Sequence, residues 1–365
     1  MKIGLYTIHR VHNYGAMLQT YATIHALQNM GHEVEIVCIY SKETERRVLH
    51  RYFGGTLKEK LVNLYSLINP KLREKTSRFE SFHAEMPLSK RFLSLAEYEN
   101  NLPEYDVHLV GSDQVWNLEK GFREGSSGFL EFLPQNAKRI SYAASFGSDK
   151  IDKKYDQELY RRLSLFNAIS CREIEGTNLI NSLGLVATQV MDPTFLPSNN
   201  HWCELAGSTP LVKGDYIVVY GLGENLQLSN IMLNQAKKMM GGIPAIGISV
   251  SANIPYDVDA FYKQAGPIEF LNLIRYAKFV VTASYHGAAF AIHFRKPFFV
   301  IKHMSRNARM DTMLSLLHLK KLMGAEEDIT KIEPYSPIYT PEVIEAIQFH
   351  STRSYKWLVK TLGAK

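Results

Sequence analysis

His286 lies in TASYHGAAFAIHFRKPFFVI, Thr282 to Ile301, where the β-branched run Phe279 to Thr282 gives way to Gly287, Ala288, Ala289 and Ala291. After Pro297 the apolar run FFVI follows. This pattern predicts strand, turn, helix and strand, with Ser284, Tyr285, His286 and Gly287 between the carboxyl end of a strand and the amino end of a helix. Ligands of open α/β sheets bind at such points. The unpaired N–H groups and positive dipole end there favour an anion, and a histidine can add a hydrogen bond or carry a proton. The plainer alternative is a histidine that caps the helix or satisfies a buried carbonyl.

Three further polar turns fall at predicted strand ends. In HRVHNYGAMLQ, Gly15 permits close backbone approach, while Asn13, Tyr14 and Gln19 offer hydrogen bonds suited to a sugar. The run is not GxGxxG, so a dinucleotide site is disfavoured; a helix entry capped by Asn13 is the structural alternative. In GSDQVWN, Asp113 and Gln114 stand beside Trp116, whose ring could cover an apolar sugar face while the carboxylate takes a hydroxyl proton. An Asx turn with Trp116 anchored in the core explains the same residues. In CREIEG, Arg172 heads a helix, where its guanidinium can grip a carboxylate or phosphate with two parallel bonds. A salt bridge to Glu173 or Glu175 is the alternative, and Cys171 is expected to be core. Downstream, Arg306, Asn307 and Arg309 could bring positive charge to the same place, although solvated arginines are the default expectation.

These turns need a scaffold of alternating strands and helices. Lys2 to Ile8, Ala16 to Met30 and Glu33 to Ile39 read as a βαβ opening, and strand signals return at Val107 to Val110, Arg139 to Ser145, Ala168 to Cys171 and Ala187 to Met191. Between them, 41–100 reads as helical and irregular, broken at Pro70 and Pro87. The polar SNNHW after Asp192 and Pro193 suggests a connection between domains. A second alternating half follows: strand Tyr216 to Tyr220, ended by GLGEN, helix Leu226 to Met240, strand Ala245 to Val250 and helix Glu269 to Ala277. The expected organisation is α/β: two doubly wound Rossmann-like domains, 1–195 and 196–340, facing a cleft, with a helical segment at 341–365 that could reach back to the first.

Composition narrows the function. At 365 residues and 45 % apolar content the chain can build a core in each half. It carries no uncharged apolar run of membrane-spanning length, and MKIGLYTI enters a strand pattern directly, so a cytoplasmic protein is expected. Cys38, Cys171 and Cys203 form no metal pattern, His9 and His12 have no companion cluster, and no metal site is predicted. The +6 charge is concentrated in 41–80, where Leu57, Leu61, Leu64 and Ile68 recur at helical spacing beside Lys58, Lys60 and Lys71. That helix admits two readings: leucines packed on the core, or a peripheral contact with an anionic membrane. Nucleic acid is disfavoured, because no recognised binding motif accompanies the charge.

Taken in order, NYGAMLQ, GSDQVWN, SYAASFG, CREIEG, MDPTFL, GPIEFLNLI and TASYHGAAFAIHFRKPF resemble the polysaccharide pyruvyl transferase family from the first strand to beyond residue 300. The histidine turn is of the SFHG type; Ser284 and Tyr285 precede His286 where other members carry a basic residue in an RLHG pattern. The resemblance implies a GT-B-like fold and transfer of pyruvate from phosphoenolpyruvate, a co-substrate rather than a cofactor, to a hexose of a surface glycan as a ketal. It also implies an acceptor side in the first domain, with Asn13, Tyr14, Gly15, Asp113 and Gln114. The donor side would use Arg172, Ser284, Tyr285, His286, Gly287 and Arg309, and His286 and Asp113 become the expected acid–base pair. A lipid-linked oligosaccharide acceptor would place the enzyme at the inner face of the cytoplasmic membrane. Two other functions fit the same turns: a glycosyltransferase using a nucleotide sugar, and a non-catalytic glycan- or lipid-binding component of polysaccharide assembly.

Overall fold

In a computed structural model the described residues are 1–118, 127–148, 151–221, 226–248, 257–302, 307–324 and 337–363. The apolar runs that alternate with helices assemble into two six-stranded parallel sheets. The first comprises β1 (Lys2–Tyr6), β2 (Glu33–Ile36), β3 (Val107–Val110), β4 (Arg139–Ala144), β5 (Ala168–Cys171) and β6 (Ala187–Gln189), in the spatial order β2-β1-β3-β4-β5-β6. The second comprises β7 (Ile217–Tyr220), β8 (Ala245–Ile248), β9 (Ala260–Phe261), β10 (Phe279–Thr282), β11 (Phe298–Ile301) and β12 (Met323–Gly324), in the order β12-β11-β10-β7-β8-β9. Continuous runs such as VHLV, IVVY, FVVT and FFVI are buried along their whole length, as strands covered by helices on both faces must be.

Strand order reverses direction once in each sheet, between β1 and β3 and between β7 and β10. Such switch points open a crevice at the carboxyl ends of the strands. Helix α1 (Tyr14–Asn29) leaves β1 at the first switch point, with Asn13 as its cap accepting from the Ala16 N–H at 3.1 Å. At the second, the helix Tyr285–His293 leaves β10, capped by Ser284. The halves are held together by aromatic packing. Tyr14 stacks on Phe270 with ring centres 4.7 Å apart and donates its hydroxyl proton to the Ala265 carbonyl at 3.0 Å. The C-terminal helix, Pro341–Leu362, crosses back to the first half, where Ser354 Oγ accepts from the Met191 N–H at 2.8 Å.

SNNHW, between the last strand of the first sheet and the first strand of the second, is itself helical: Ser198 accepts from the His201 N–H and caps the helix Asn199–Ala206. Trp202 on that helix is fully buried, donates its indole N–H to the Thr194 carbonyl at 3.0 Å and packs edge-on against Phe290. Pro70 falls at the break between the helices Leu57–Ile68 and Pro70–Ala84, and it opens the second because Asn69 caps the turn and a proline at the first position forfeits no internal hydrogen bond. The expected strand end Val250 and most of GLGEN lie outside the described residues. Replacing Trp202 with Ala removes the largest side chain at the junction, and urea denaturation should show a loss of about 3–5 kcal/mol.

Candidate active site

The carboxyl ends of β3 and β5 and the chain just beyond β6 converge on one buried carboxylate. Asp192 is fully buried. Its Oδ1 accepts from the Thr194 N–H at 3.0 Å and hydroxyl at 2.8 Å, which fixes the plane of the carboxylate. Its Oδ2 accepts from Arg172 Nη1 at 2.6 Å and from the Ser112 hydroxyl at 3.0 Å, and His286 Nε2 from the second half stands 3.6 Å away. Burial alone would lift the carboxyl, but His286 and Arg172 outweigh it and hold the group far below the carboxylate range. Burial likewise opposes the Arg172 charge, and Asp192, Tyr285 and Asp113 more than offset it.

Arg172 therefore pairs with Asp192 rather than with Glu173 or Glu175. Its guanidinium lies 4.7 Å over the Tyr285 ring, and its Nε and Nη2 find no hydrogen-bond partner among the described residues. His286 Nε2 is in the same condition. Unpaired buried polar atoms cost about 1–3 kcal/mol each, and three such nitrogens lie around the Asp192 carboxylate. The His286 ring is seated by a missing side chain: a β-carbon on Gly15 would lie 2.1 Å from Nδ1. Gly15 thus lets the start of α1 touch the histidine turn, with two helix amino termini meeting at one spot.

Asp113 adopts φ = +74°, a left-handed conformation that strains a residue with a side chain. Two bonds hold it there: its carbonyl accepts from the Val115 N–H at 2.8 Å and the Ser145 N–H at 3.0 Å. The result aims its carboxylate between Arg172 at 3.7 Å and Arg309 at 3.9 Å. Those distances are long for direct bonds, and the carboxylate remains partly accessible. Arg309 is on the first turn of the helix Ala308–Leu316, and with its amide oxygen toward the guanidinium Gln114 accepts from Nη2 at 2.8 Å. Burial, and then the neighbouring Arg172, lower the Arg309 pKa.

The structure thus gathers Gly15, Asp113, Gln114, Arg172, Tyr285, His286 and Arg309. Asn13 caps α1 at the exposed edge, and Ser284 accepts from the Gly287 N–H at 3.4 Å. Tyr14, expected to offer a bond to a sugar, is instead fully buried between the halves with its hydroxyl bound to Ala265. Trp116 does not line the site either; it is buried, stacks on Phe129 and donates to the Gly128 carbonyl, so it cannot cover a sugar face. Gln19 is buried and donates to Thr7. Cys171 is buried, and burial pushes its thiol up, which suits a core residue. Arg306 lies outside the described residues.

Sequence reasoning missed Asp192, Ser112 and Glu173. Asp192 was visible as the Asp-Pro that closes a strand and as part of MDPTFL, with no role attached. Glu173 is fully buried, accepts from the Phe146 N–H at 2.7 Å and the Ser145 hydroxyl at 3.1 Å, and is raised by burial in spite of Arg172. Among the described residues no group of His, Cys, Asp or Glu is arranged to hold a metal ion. A cavity of about 420 Å³ lined by Asn199, His293, Gln348 and Ser351 touches none of the converging residues. The converging charges, rather than that cavity, mark the site.

Among solved structures, the chain is similar over its whole length to two UDP-GlcNAc 2-epimerases, each fully covered as well. That of Neisseria meningitidis, bound to UDP-GlcNAc, is 12 % identical with a TM-score of 0.57, and that of Methanocaldococcus jannaschii, in complex with UDP-GlcNAc and UDP, is 12 % identical with a TM-score of 0.52. The N-terminal domain of Candida albicans trehalose-6-phosphate phosphatase matches with a TM-score of 0.52 at 9 % identity, covering 100 % of this chain and 97 % of that one. At such identities the likeness speaks to fold, and the fold is GT-B. Comparison with curated proteins returned no match. The model of one family, polysaccharide pyruvyl transferase, matches residues 13–305, which takes in Gly15, Arg172, Asp192 and the histidine turn. With that span and this site, the chain belongs to the polysaccharide pyruvyl transferase family, enzymes that transfer pyruvate to polysaccharide.

Proposed function

We propose that the donor is phosphoenolpyruvate and that its three-carbon skeleton is joined to two hydroxyls of a hexose as a ketal, with release of phosphate. The observation that carries this reading is the set of unpaired donors on Arg172 and His286 beside a second arginine, Arg309, at the point where two helix amino termini meet. A small molecule bearing both a carboxylate and a phosphate needs two anion grips close together. Arg172 offers an edge of its guanidinium that Asp192 does not use. Arg309 is assigned to supply the charge that several family members, those of the RLHG type, place two residues before the histidine. Ser284, Tyr285 and Gly287 shape the same turn.

The chemistry requires a proton delivered to the methylene carbon, electrophilic character at the adjacent carbon, attack by one hydroxyl, loss of phosphate and attack by the second hydroxyl. One hydroxyl proton is thereby balanced by the new methyl group and the other leaves with phosphate. His286, held between Gly15 and Asp192, is assigned to bind the phosphate and to deliver the proton. Asp113, accessible and gripped only loosely by two arginines, is assigned as the base for the acceptor hydroxyl. When an anionic donor engages those arginines, the Asp113 carboxylate is released toward the acceptor. Asn13 and Gln114 border the side from which a hexose would enter. The acceptor is a surface glycan, assembled on a lipid carrier at the inner face of the cytoplasmic membrane.

Incubation with phosphoenolpyruvate and a panel of lipid-linked or aryl hexosides, read by mass spectrometry, should give a mass gain equal to pyruvate less water. Saturable binding of a nucleoside diphosphate with none of phosphoenolpyruvate would overturn the donor assignment. His286→Ala should abolish phosphate release. Unchanged release by that variant removes His286 from the mechanism. Arg172→Ala would strand Asp192 as an unpaired buried charge, so Arg172→Lys is the informative change: it keeps the charge and loses the planar fork. It should raise KM for phosphoenolpyruvate about ten-fold or more with a smaller effect on kcat. Gly15→Ala must displace His286, so turnover should fall about 100-fold or more, and the urea midpoint should drop as well because the added carbon overpacks a buried contact.

A further inference from the structure

The segment 41–80 carries five of the six net positive charges and a helix, Leu57–Ile68, that is built inside out. Leu57, Leu61, Leu64 and Ile68 share one stripe and are 74 %, 58 %, 48 % and 65 % exposed, so they do not pack on the core. The only buried residue of the helix is Ser66. Asn63, also on the inner side, donates to the Tyr52 carbonyl at 2.6 Å. Polar residues thus face the protein and leucines face out, the reverse of a surface helix of a globular protein. Seven of the sixteen large apolar side chains that are exposed among the described residues fall between residues 53 and 68, which makes a patch rather than a scatter.

Charge decides what covers it. Lys58 and Lys60 flank the leucine stripe on its two sides, and both are exposed, with Arg51 and Lys71 at its ends. The one acidic residue of the helix, Glu59, is engaged by the Thr56 backbone in a capping box. A second copy of this basic surface would bring like charges together. An apolar stripe bordered by lysines instead matches the boundary between acyl chains and anionic headgroups, where amines can reach phosphates while the leucines are buried. We propose that the outer face of Leu57–Ile68 docks the protein on the anionic surface of a lipid bilayer.

The position of the face gives the docking a purpose. The next helix, Pro70–Ala84, carries Phe79, which packs against His12 with ring centres 5.0 Å apart and against Tyr14 at 5.1 Å. Those residues belong to the loop that brings Asn13 and Gly15 to His286. A docked bilayer would therefore lie beside the edge from which a lipid-linked acceptor enters. Only this last point draws on the function proposed above; the docking itself does not.

The test is co-sedimentation of the full chain with vesicles of phosphatidylglycerol and phosphatidylcholine in equal parts, against vesicles of phosphatidylcholine alone. Wild-type protein should sediment with the anionic vesicles and less so as salt is raised. Leu61→Asp with Leu64→Asp should remain in the supernatant, with circular dichroism unchanged. Lys58→Gln and Lys60→Gln should each weaken binding about five-fold. Wild-type protein left in the supernatant overturns the proposal, as does unchanged sedimentation of the double aspartate variant. A dimer that the same leucine changes dissolve, without vesicle binding, would assign the face to a second copy instead. No donor or acceptor enters the assay, so its outcome is separate from that of the transfer reaction.

Discussion

Asp192 is a carboxylate with no access to water that joins three strand ends of one half to the histidine of the other. A buried charge of this kind is tolerable only if every lone pair is engaged. Thr194 takes one oxygen, and Ser112 and Arg172 take the other. The consequence reaches beyond the residue itself. Ser112 must stand at the end of β3, Arg172 at the end of β5 and His286 at the mouth of the second half, because displacing any of them would leave a desolvated charge uncompensated. Stability and the placement of the site are therefore one problem here.

The same constraint explains why the arginine keeps donors free. Asp192 engages a single nitrogen, and the Tyr285 ring covers the guanidinium face. The rest of the fork is held in place but not consumed. Asp113 shows the complementary solution: its backbone is strained to φ = +74° and its carboxylate stands between two cations without a short bond to either. Strain and unmet bonding coincide here, beside a register shift between β4 and β5 at Ser141 to Ala144, a combination that suits geometry set for a ligand.

Much of this was legible in the sequence. The strand runs, the two alternating halves and the turns at 13–19, 111–117, 172 and 284–287 follow from periodicity and from residue types at strand ends. What was not legible depended on distance in space. Nothing local distinguishes a Trp116 that covers a sugar from one buried on Phe129, or a Tyr14 that faces a ligand from one stacked on Phe270. For Arg172 the only protein partners open to a local reading were Glu173 and Glu175, because Asp192, twenty residues on, becomes a neighbour only when β5 and β6 lie side by side. The leucines of Leu57–Ile68 carry a helical period whichever way they face, and it takes their exposure and the burial of Ser66 to show that the stripe points outward.

Neither half holds a complete site. The first supplies Gly15, Asp113, Arg172 and Asp192; the second supplies Tyr285, His286 and Arg309. If the halves moved apart, Arg172 would lose the Tyr285 ring, Asp192 would lose His286 and Arg309 would lose Asp113 and Gln114. Each loss exposes a group to water, which would then compete for the positions proposed to hold the donor. The Tyr14 stack on Phe270, the Trp202 contact with Phe290 and the return of Ser354 to the Met191 backbone hold the halves in register from outside the chemistry. Burying Tyr14 therefore serves the reaction more directly than a hydrogen bond to a sugar would: it keeps Gly15, the next residue, against the histidine whose position the site depends on.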